Sequence, residues 1–546
     1  RPRLPLAFPL TREPRGIRRG APRVERGMQR FWKQLGKQPA KGRRRWVYVP
    51  YDQLSARIGP LAQGEAKELG IVLVESPWKA GQRPYHRQKL ALVLANQRHF
   101  ALEQAERGVA VRYVVHDGPY RDALASVQSE LGALECMEPA ERELREDLAP
   151  LVKSGALKYL PHEGWLTTRE QFVAGAGESA PWRMDAFYRE VRRTSGVLME
   201  QGKPVGGKWS FDTENRRAWK GDPPAPQPPR FEPDAITREV GELVESRFAS
   251  HPGRLDLESL PTTEADADKL WRWALARCLP HFGPFEDAMS TRSSGLFHTR
   301  IAPLLNLHRL LPRDVVRDAV ASKLELASKE GFVRQVLGWR EFVRHVHRET
   351  DGFRTLAPDA RPSHLGAHRP LPAAFWGERP SGLACLDSVV ADVWREGWTH
   401  HIPRLMVLAN LATLLDLEPR EVADWFWVAY TDAYDWVVEP NVLAMGMYAV
   451  GGLMTTKPYV SGAAYLDRMG DFCKGCRFDP KVDCPITPLY WAFLARHGER
   501  LGQSARMDMP LRSAAKRTAA QSSRDQRVFE RTSEALAAGR EVPPAS

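Results

Sequence analysis

Cysteine is scarce, with 6 in 546 residues, too few to staple a chain of this length as a disulfide scaffold. Long apolar runs are missing as well. The most apolar stretch, LANLATLLDL at 408–417, soon meets charges, so no segment is expected to span a bilayer. No Gly-x-Gly-x-x-Gly follows any strand-like segment, which leaves an NAD site unsupported. The N-terminus RPRLPLAFPLTREPRGIRRG is Arg-rich, but its apolar part is too short and too broken by proline for a secretory signal. The expectation is a globular cytoplasmic chain, monomeric and without a membrane partner. With 43% apolar and 27% charged residues, it can build two or three packed domains.

The net charge of +12 suggests nucleic acid, but the excess is local. Residues 1–45 carry 15 Lys/Arg against 2 Asp/Glu, and the remainder carries 64 against 65. A basic, disordered leader is expected over 1–45. Contact with phosphates by the body then needs a local patch, for which Arg216, Arg217, Arg340 and Arg344 are candidates.

RRWVYVPYDQLS, GIVLVESP and VAVRYVVHD each read as a strand running into a loop. HRQKLALVLANQRHFALEQAERG between them has helical apolar spacing and stops at Gly108. This alternation predicts a doubly wound parallel α/β domain over 46–170, with Asp52 and Glu75 at the carboxyl ends of strands where ligands bind. A proline-rich, irregular interdomain linker follows over 171–263. Helical periodicity then dominates an all-α domain over 264–508, and a small, charged tail at 509–546 is expected to be disordered.

Chemistry concentrates in the second half. CKGCRFDPKVDC places Cys473, Cys476 and Cys484 within twelve residues. Three thiols are one short of a structural zinc or iron–sulfur site, so a fourth ligand must come from far away, unless these are free thiols of a surface loop. His400 and His401 precede Pro403 at a helix start. Adjacent helical residues point roughly 100° apart, so the two are not expected to share one job, and a buried structural pair is the plainer reading. Thr291, Arg292, Ser293 and Ser294 offer hydroxyls, backbone N–H groups and a guanidinium suited to a phosphate, although a helix cap would use the same hydroxyls. The aromatics of DWFWVAYTDAYDWVVEPNV suit either a packed core or the wall of a flat ligand.

FGPFEDAMSTRSSGLFHTRIAPLLNL, RQVLGWREFVR, WTHHIPRLMVLAN, DAYDWVVEPNVLAMGMYAVGGLMTTKPYVSG and CKGC with PLYWAFLARH occur in this order. Together with YDQL and HRQKLALVLANQRHF, they closely resemble the bacterial iron–sulfur branch of the photolyase and cryptochrome superfamily, the deoxyribodipyrimidine photolyase-related proteins. The resemblance covers roughly residues 47–507. It implies an N-terminal antenna domain and a helical domain carrying FAD and a [4Fe-4S] cluster. Members of known activity are (6-4) photolyases, which use light to repair pyrimidine–pyrimidone lesions in damaged DNA.

Carried over residue by residue, the resemblance makes Cys385 the fourth ligand beside Cys473, Cys476 and Cys484. It assigns Thr291, Arg292, Ser293 and Ser294 to the FAD phosphates, and Trp339, Arg340, Asp432, Asp435 and Asn441 to the flavin side. His400 and His401 become the lesion-facing pair, and Trp376 and Trp425 the electron-transfer tryptophans. Asp52 and Glu75 lie near the antenna, expected to be 6,7-dimethyl-8-ribityllumazine. Phe426, next to Trp425, cannot serve as a redox tyrosine. Two other functions remain open at this point: a cryptochrome-type photoreceptor with the same cofactors, and a metal-stapled DNA-binding protein without photochemistry.

Overall fold

The computed structural model describes residues 28–36, 44–356 and 361–545. Strands β1 (Arg45–Tyr48), β2 (Leu69–Glu75), β3 (Ala110–Val115), β4 (Leu134–Met137) and β5 (Leu157–Leu160) form one sheet in the order β3-β2-β1-β4-β5. Every pairing is parallel. All seven residues of β2 are buried, as expected for a parallel strand covered on both faces. The three strands read from the sequence are present. β4 and β5, reading LECM and LKYL, are four residues long and carry no β-branched residue, which leaves no periodic signal to read. The order reverses at β1, with β2 on one side and β4 on the other, so the crevice beyond their carboxyl ends is the natural ligand position.

Helix α1 (Arg87–Glu106) lies between β2 and β3, and the imidazole Nδ1 of His86 accepts the Gln88 N–H at its start. α2 (Arg142–Lys153) follows β4. The span 171–263 is more ordered than a linker. It holds Met184–Ser195 and α3 (Ala235–Arg247), with a two-stranded hairpin and short 3-10 turns between them, while the proline-rich stretch 224–234 and the segment 248–256 lack regular structure.

From Glu264 onward the described chain contains helices and no named strand. They include α4 (Glu341–Glu349), α5 (Ala384–Glu396), α6 (Pro419–Ala429) and α7 (Ile486–Leu501). An N-terminal parallel α/β domain thus precedes an all-α domain. The two are stitched by buried polar contacts. Asp435 accepts the backbone N–H of Arg142 at 2.7 Å, and the Lys89 ammonium donates to the carbonyls of Trp427 and Ala433 at 2.8 and 2.6 Å.

Both ends depart from expectation. Most of the basic leader lies outside the described residues, but Gln29–Leu35 is helical. Its Phe31 is buried against Tyr113, ring centroids 4.6 Å apart, so apolar burial outweighs the local charge. The tail forms Asp508–Ala515 and α8 (Ala519–Ala537) instead of disorder. A capping box joins Thr518 and Gln521, and Val528, Phe529 and Leu536 are buried. Beyond α8 the chain crosses the cysteine loop. The Val542 N–H donates to the Ser381 carbonyl at 2.8 Å, the Ala545 N–H to the Asp483 carbonyl at 2.9 Å, and Arg477 pairs with Glu541.

Candidate active site

A cavity of about 410 Å³ opens where the helical domain meets α1 and the proline-rich segment, and Thr291, Arg292, Ser293 and Ser294 all line it. Arg254, Arg300 and Arg395 join them, so hydroxyls and guanidinium groups face a common space, a donor set suited to phosphate oxygens. The cluster is held from behind. Asp471 accepts from the Ser290 hydroxyl and the Thr291 N–H at 2.8 and 2.7 Å, and Ser294 bonds both Glu396 oxygens at 2.9 Å. Glu396 is neutralised by Arg300 at 2.8 Å and Arg395 at 2.7 Å. Arg292 lies over the Trp219 ring at 4.4 Å.

Among the five residues assigned to the flavin side, Trp339, Arg340 and Asn441 lie on π-helical segments, Arg334–Arg340 and Pro440–Gly446. A third such segment, Pro403–Ala409, carries Arg404. Bulged turns of this kind recur at functional sites because they redirect side chains without ending the helix. Asp432 forms a two-pronged pair with Arg404, both contacts 2.9 Å. Arg404, which sequence reasoning missed, also lies 3.9 Å over the Tyr430 ring.

Two of these assignments meet other partners. The Asp435 carboxylate caps α2 through the N–H groups of Arg142 and Glu143. Burial, and then Glu141, push its pKa well above the usual carboxylate range. Arg340 is enclosed, stacked over Trp165 at 4.2 Å and bonded to the Leu305 carbonyl at 3.2 Å. Arg344 is likewise over Trp165, at 4.6 Å. Neither arginine is the surface cation expected to meet DNA. Arg216 is exposed but paired with Asp212.

Three histidines, none of which lines the cavity, neighbour its residues Leu296, Arg300 and Trp398 in sequence. The His298 and His400 rings are stacked, centroids 4.1 Å apart and planes 12° apart, and His401 meets His298 edge-on at 5.3 Å. Within the pair, the planes of His400 and His401 differ by 75°, and only His401 is exposed. His298 carries its proton on Nε2, because the Glu286 carbonyl 3.1 Å away can only accept. His400 Nδ1 is buried without a partner. All three pKa values are lowered. For His298 and His400 burial and the neighbouring imidazoles act together; for His401 the surrounding protein and then Arg404 act in the same direction, an effect its solvent exposure limits. All three are neutral near pH 7. His298 was absent from the sequence reading because it sits 102 residues from its partner with no motif to link them.

The four predicted cysteines converge. Cys385 opens α5, Cys473 lies on the turn Phe472–Gly475, and Cys484 precedes α7. Burial raises the Cys385 thiol pKa, and the charges of Cys484, Cys473 and Cys476 raise it further, so all four are electrostatic neighbours. They are not as tight as the histidines. Among the described residues, His298, His400 and His401 are the group whose ligating atoms all fall within 4.8 Å. Cys136 and Cys278 are buried apart, and the Cys136 thiol contacts the Met137 carbonyl.

A second, smaller cavity of about 80 Å³ lies at the strand-order reversal, lined by Tyr51, Ser76, Lys79, Lys89, Glu141 and Tyr434 among others. Trp427 lines it too, so part of the aromatic run does form a wall. Burial lowers the Lys89 pKa to about 7. Neither Asp52 nor Glu75 lines this space. Their chain neighbours Tyr51 and Ser76 do. Asp52 is buried, its carbonyl accepting from His308, and burial followed by the Glu141 charge raises its carboxyl pKa to about 7. Glu75 is fully committed to Arg98 at 2.9 and 2.8 Å and to the Tyr113 hydroxyl at 2.6 Å, so it offers no oxygen to a ligand.

The family described as deoxyribodipyrimidine photo-lyase-related protein matches residues 47–259, and the FAD binding domain of DNA photolyase matches 332–481. A (6-4) photolyase of Agrobacterium fabrum is 33% identical over 488 residues, covering 85% of this chain and 94% of that protein. The chain belongs to the photolyase and cryptochrome family. Solved structures of that family share its fold. A bacterial class III photolyase from Agrobacterium tumefaciens superposes with a TM-score of 0.50 at 14% identity, over 88% of this chain and 94% of the other. A Synechocystis cryptochrome gives 0.50 at 15%, over 74% and 83%. A mimivirus protein of no described function is 39% identical over 69 residues, 13% of this chain and 56% of its own length. In this photolyase-family chain, the matched FAD-binding segment contains Trp339, Arg340, His400, His401, Asp432, Asp435, Asn441 and three of the four converging cysteines. Cys484 lies just beyond it.

Proposed function

We propose that this chain is a light-driven (6-4) photolyase of damaged DNA. The observations that carry the reading are a cavity lined by phosphate-type donors and a stacked histidine trio linked to it through Arg300, which lines the cavity and acts on His298 and His400. Thr291, Arg292, Ser293 and Ser294 would hold the diphosphate of FAD, and Asp432 with Arg404, Trp339 and Asn441 would face its ring system. Asp435 and Arg340 would act from behind, the first by docking the α/β domain and the second by packing. FAD, when bound in its reduced form and photoexcited, supplies the electron that the lesion accepts.

The chain's own task is placement and proton supply. A photoproduct stacks poorly, so extruding it from the duplex costs less than extruding a normal base. His401, the exposed imidazole, is placed to give a proton to the oxygen that must migrate. It is neutral in the free protein, so the DNA phosphates would have to raise its pKa on binding. His400, enclosed and stacked, orients the lesion beside it.

Cys385, Cys473, Cys476 and Cys484, electrostatic neighbours of one another, are the residues that would hold an iron–sulfur cluster. The small cavity's amines, carboxylate and tyrosines suit a polar heteroaromatic antenna such as 6,7-dimethyl-8-ribityllumazine, although the side chains must part to admit one. The deciding experiment is incubation with an oligonucleotide carrying one (6-4) lesion, in light and in darkness. Light-dependent restoration of the two pyrimidines is expected. Unchanged lesion in the light, with the flavin reduced, would favour a photoreceptor instead.

A further inference from the structure

Among the described residues, no ring contact joins Trp376 to Trp425, the two tryptophans assigned to electron transfer. A third indole stands between them. Trp394 stacks on Trp376 with centroids 5.6 Å apart and planes 14° apart, and meets Trp425 edge-on at 5.9 Å and 89°. The Trp394 and Trp425 indole N–H groups donate to the same acceptor, the Phe375 carbonyl, each at 3.0 Å. That shared bond fixes both rings and places a carbonyl dipole where it stabilises a positive charge on either indole. Exposure grades along the set: Trp425 is 1% exposed, whereas Trp394 and Trp376 are partly open to solvent.

The inner end leads toward the flavin side. Trp425 meets Tyr430 at 6.1 Å, and Tyr430 lies under Arg404, the partner of Asp432. Phe426, which cannot be oxidised in a tyrosine's manner, stacks on Tyr430 at 5.4 Å and acts as packing.

We propose that Trp394 is the relay through which Trp376 and Trp425 exchange electrons. This rests on the reading of those two residues as electron-transfer tryptophans. Light absorbed by oxidised flavin draws one electron from Trp425. One electron then moves from Trp394 to Trp425, and one from Trp376 to Trp394. At the solvent end a dissolved thiol returns one electron to Trp376, loses its proton and becomes a thiyl radical. The flavin has gained one electron and the thiol has lost one. Electron transfer weakens steeply with the gap between rings, so removing the middle indole breaks the series at its centre.

The test is anaerobic blue-light reduction of the flavin with a thiol donor, with transient absorption of the indole radical, in Trp394→Phe, Trp425→Phe and Trp376→Phe. Flavin content and the thermal unfolding midpoint are read alongside. Loss of photoreduction and of the long-lived radical in Trp394→Phe, as in Trp425→Phe, is expected. Trp376→Phe tests the same route without touching the buried rings. It should still form the radical but return the electron to it from the flavin, so that reduced flavin does not accumulate. Wild-type photoreduction in Trp394→Phe together with its loss in Trp425→Phe would overturn the relay and leave Trp425 in its role. Wild-type photoreduction in both would overturn the relay and the underlying reading together.

Discussion

The imidazole of His298 lies face to face with that of His400, 4.1 Å between centroids. The stack joins the loop after Ser294 to the start of the π-helical segment carrying Arg404. Two buried rings this close cannot both be cationic, so His298 and His400 together take up at most one proton beyond their neutral forms. His401→Ala is expected to abolish repair of a (6-4) oligonucleotide while flavin absorbance is retained. His298→Phe keeps a stacked ring but removes a competing base, and should alter the pH profile of repair more than its KM. Retained repair in His401→Ala would reject the acid role.

The same stacked pair sets a pH dependence of stability. Folding lowers the pKa values of the buried His298 and His400 well below the usual 6.5, by burial and then by the neighbouring imidazoles. Below about 6.5 the unfolded chain binds protons that the native chain does not, so stability falls as pH drops through that value. Denaturant midpoints should decline below it and flatten above it. His400→Phe should lessen the decline.

Arg404 and Asp432 form a largely buried, two-pronged ion pair. Arg404→Met leaves a carboxylate without its partner, and is expected to cost about 3–5 kcal/mol in urea unfolding and to lower flavin content on purification. Arg404→Lys should recover only part, since an ammonium cannot span both oxygens.

Glu75→Gln is expected to cost about 3 kcal/mol, because it leaves the fully buried Arg98 guanidinium only its longer contact with Glu239, at 3.5 Å. Any bound antenna chromophore should keep its absorbance maximum, since Glu75 is not part of the small cavity. A shifted maximum would restore Glu75 to that site.

Cys385→Ala should lose iron and acid-labile sulfide and lower the unfolding midpoint of the helical domain. Removing residues 540–546 should leave the thiols in place but speed alkylation of Cys476 and Cys484 in apoprotein, because Arg477, Ser381 and Asp483 lose the segment that ties them down.

The α/β-then-helical architecture was legible because β2 and α1 have long, clean patterns. The short strands β4 and β5 were not, since their burial is set by the sheet around them. Thr291–Ser294 could be read from a dense local motif. His298, Arg404 and Trp394 could not, because each gains its meaning from a ring or carboxylate brought close only by the tertiary fold. Glu75 illustrates the opposite error. A carboxylate at a strand's carboxyl end looked ligand-facing, but Arg98 and Tyr113, themselves buried, had a stronger claim on it. The tail's order was hidden by its polar composition, which capping at Thr518 and one apolar stripe were enough to overcome.

The segment crossing the cysteine loop also imposes a sequence of events in time. Chains emerge from the ribosome N-terminus first, so residues 473–484 are released before 541–545. During synthesis the thiols are therefore uncovered, and the crossing segment can close over them only afterwards. Insertion of any cluster at these thiols and closure over them would then be separate steps, ordered by nothing more than the direction in which the chain is made.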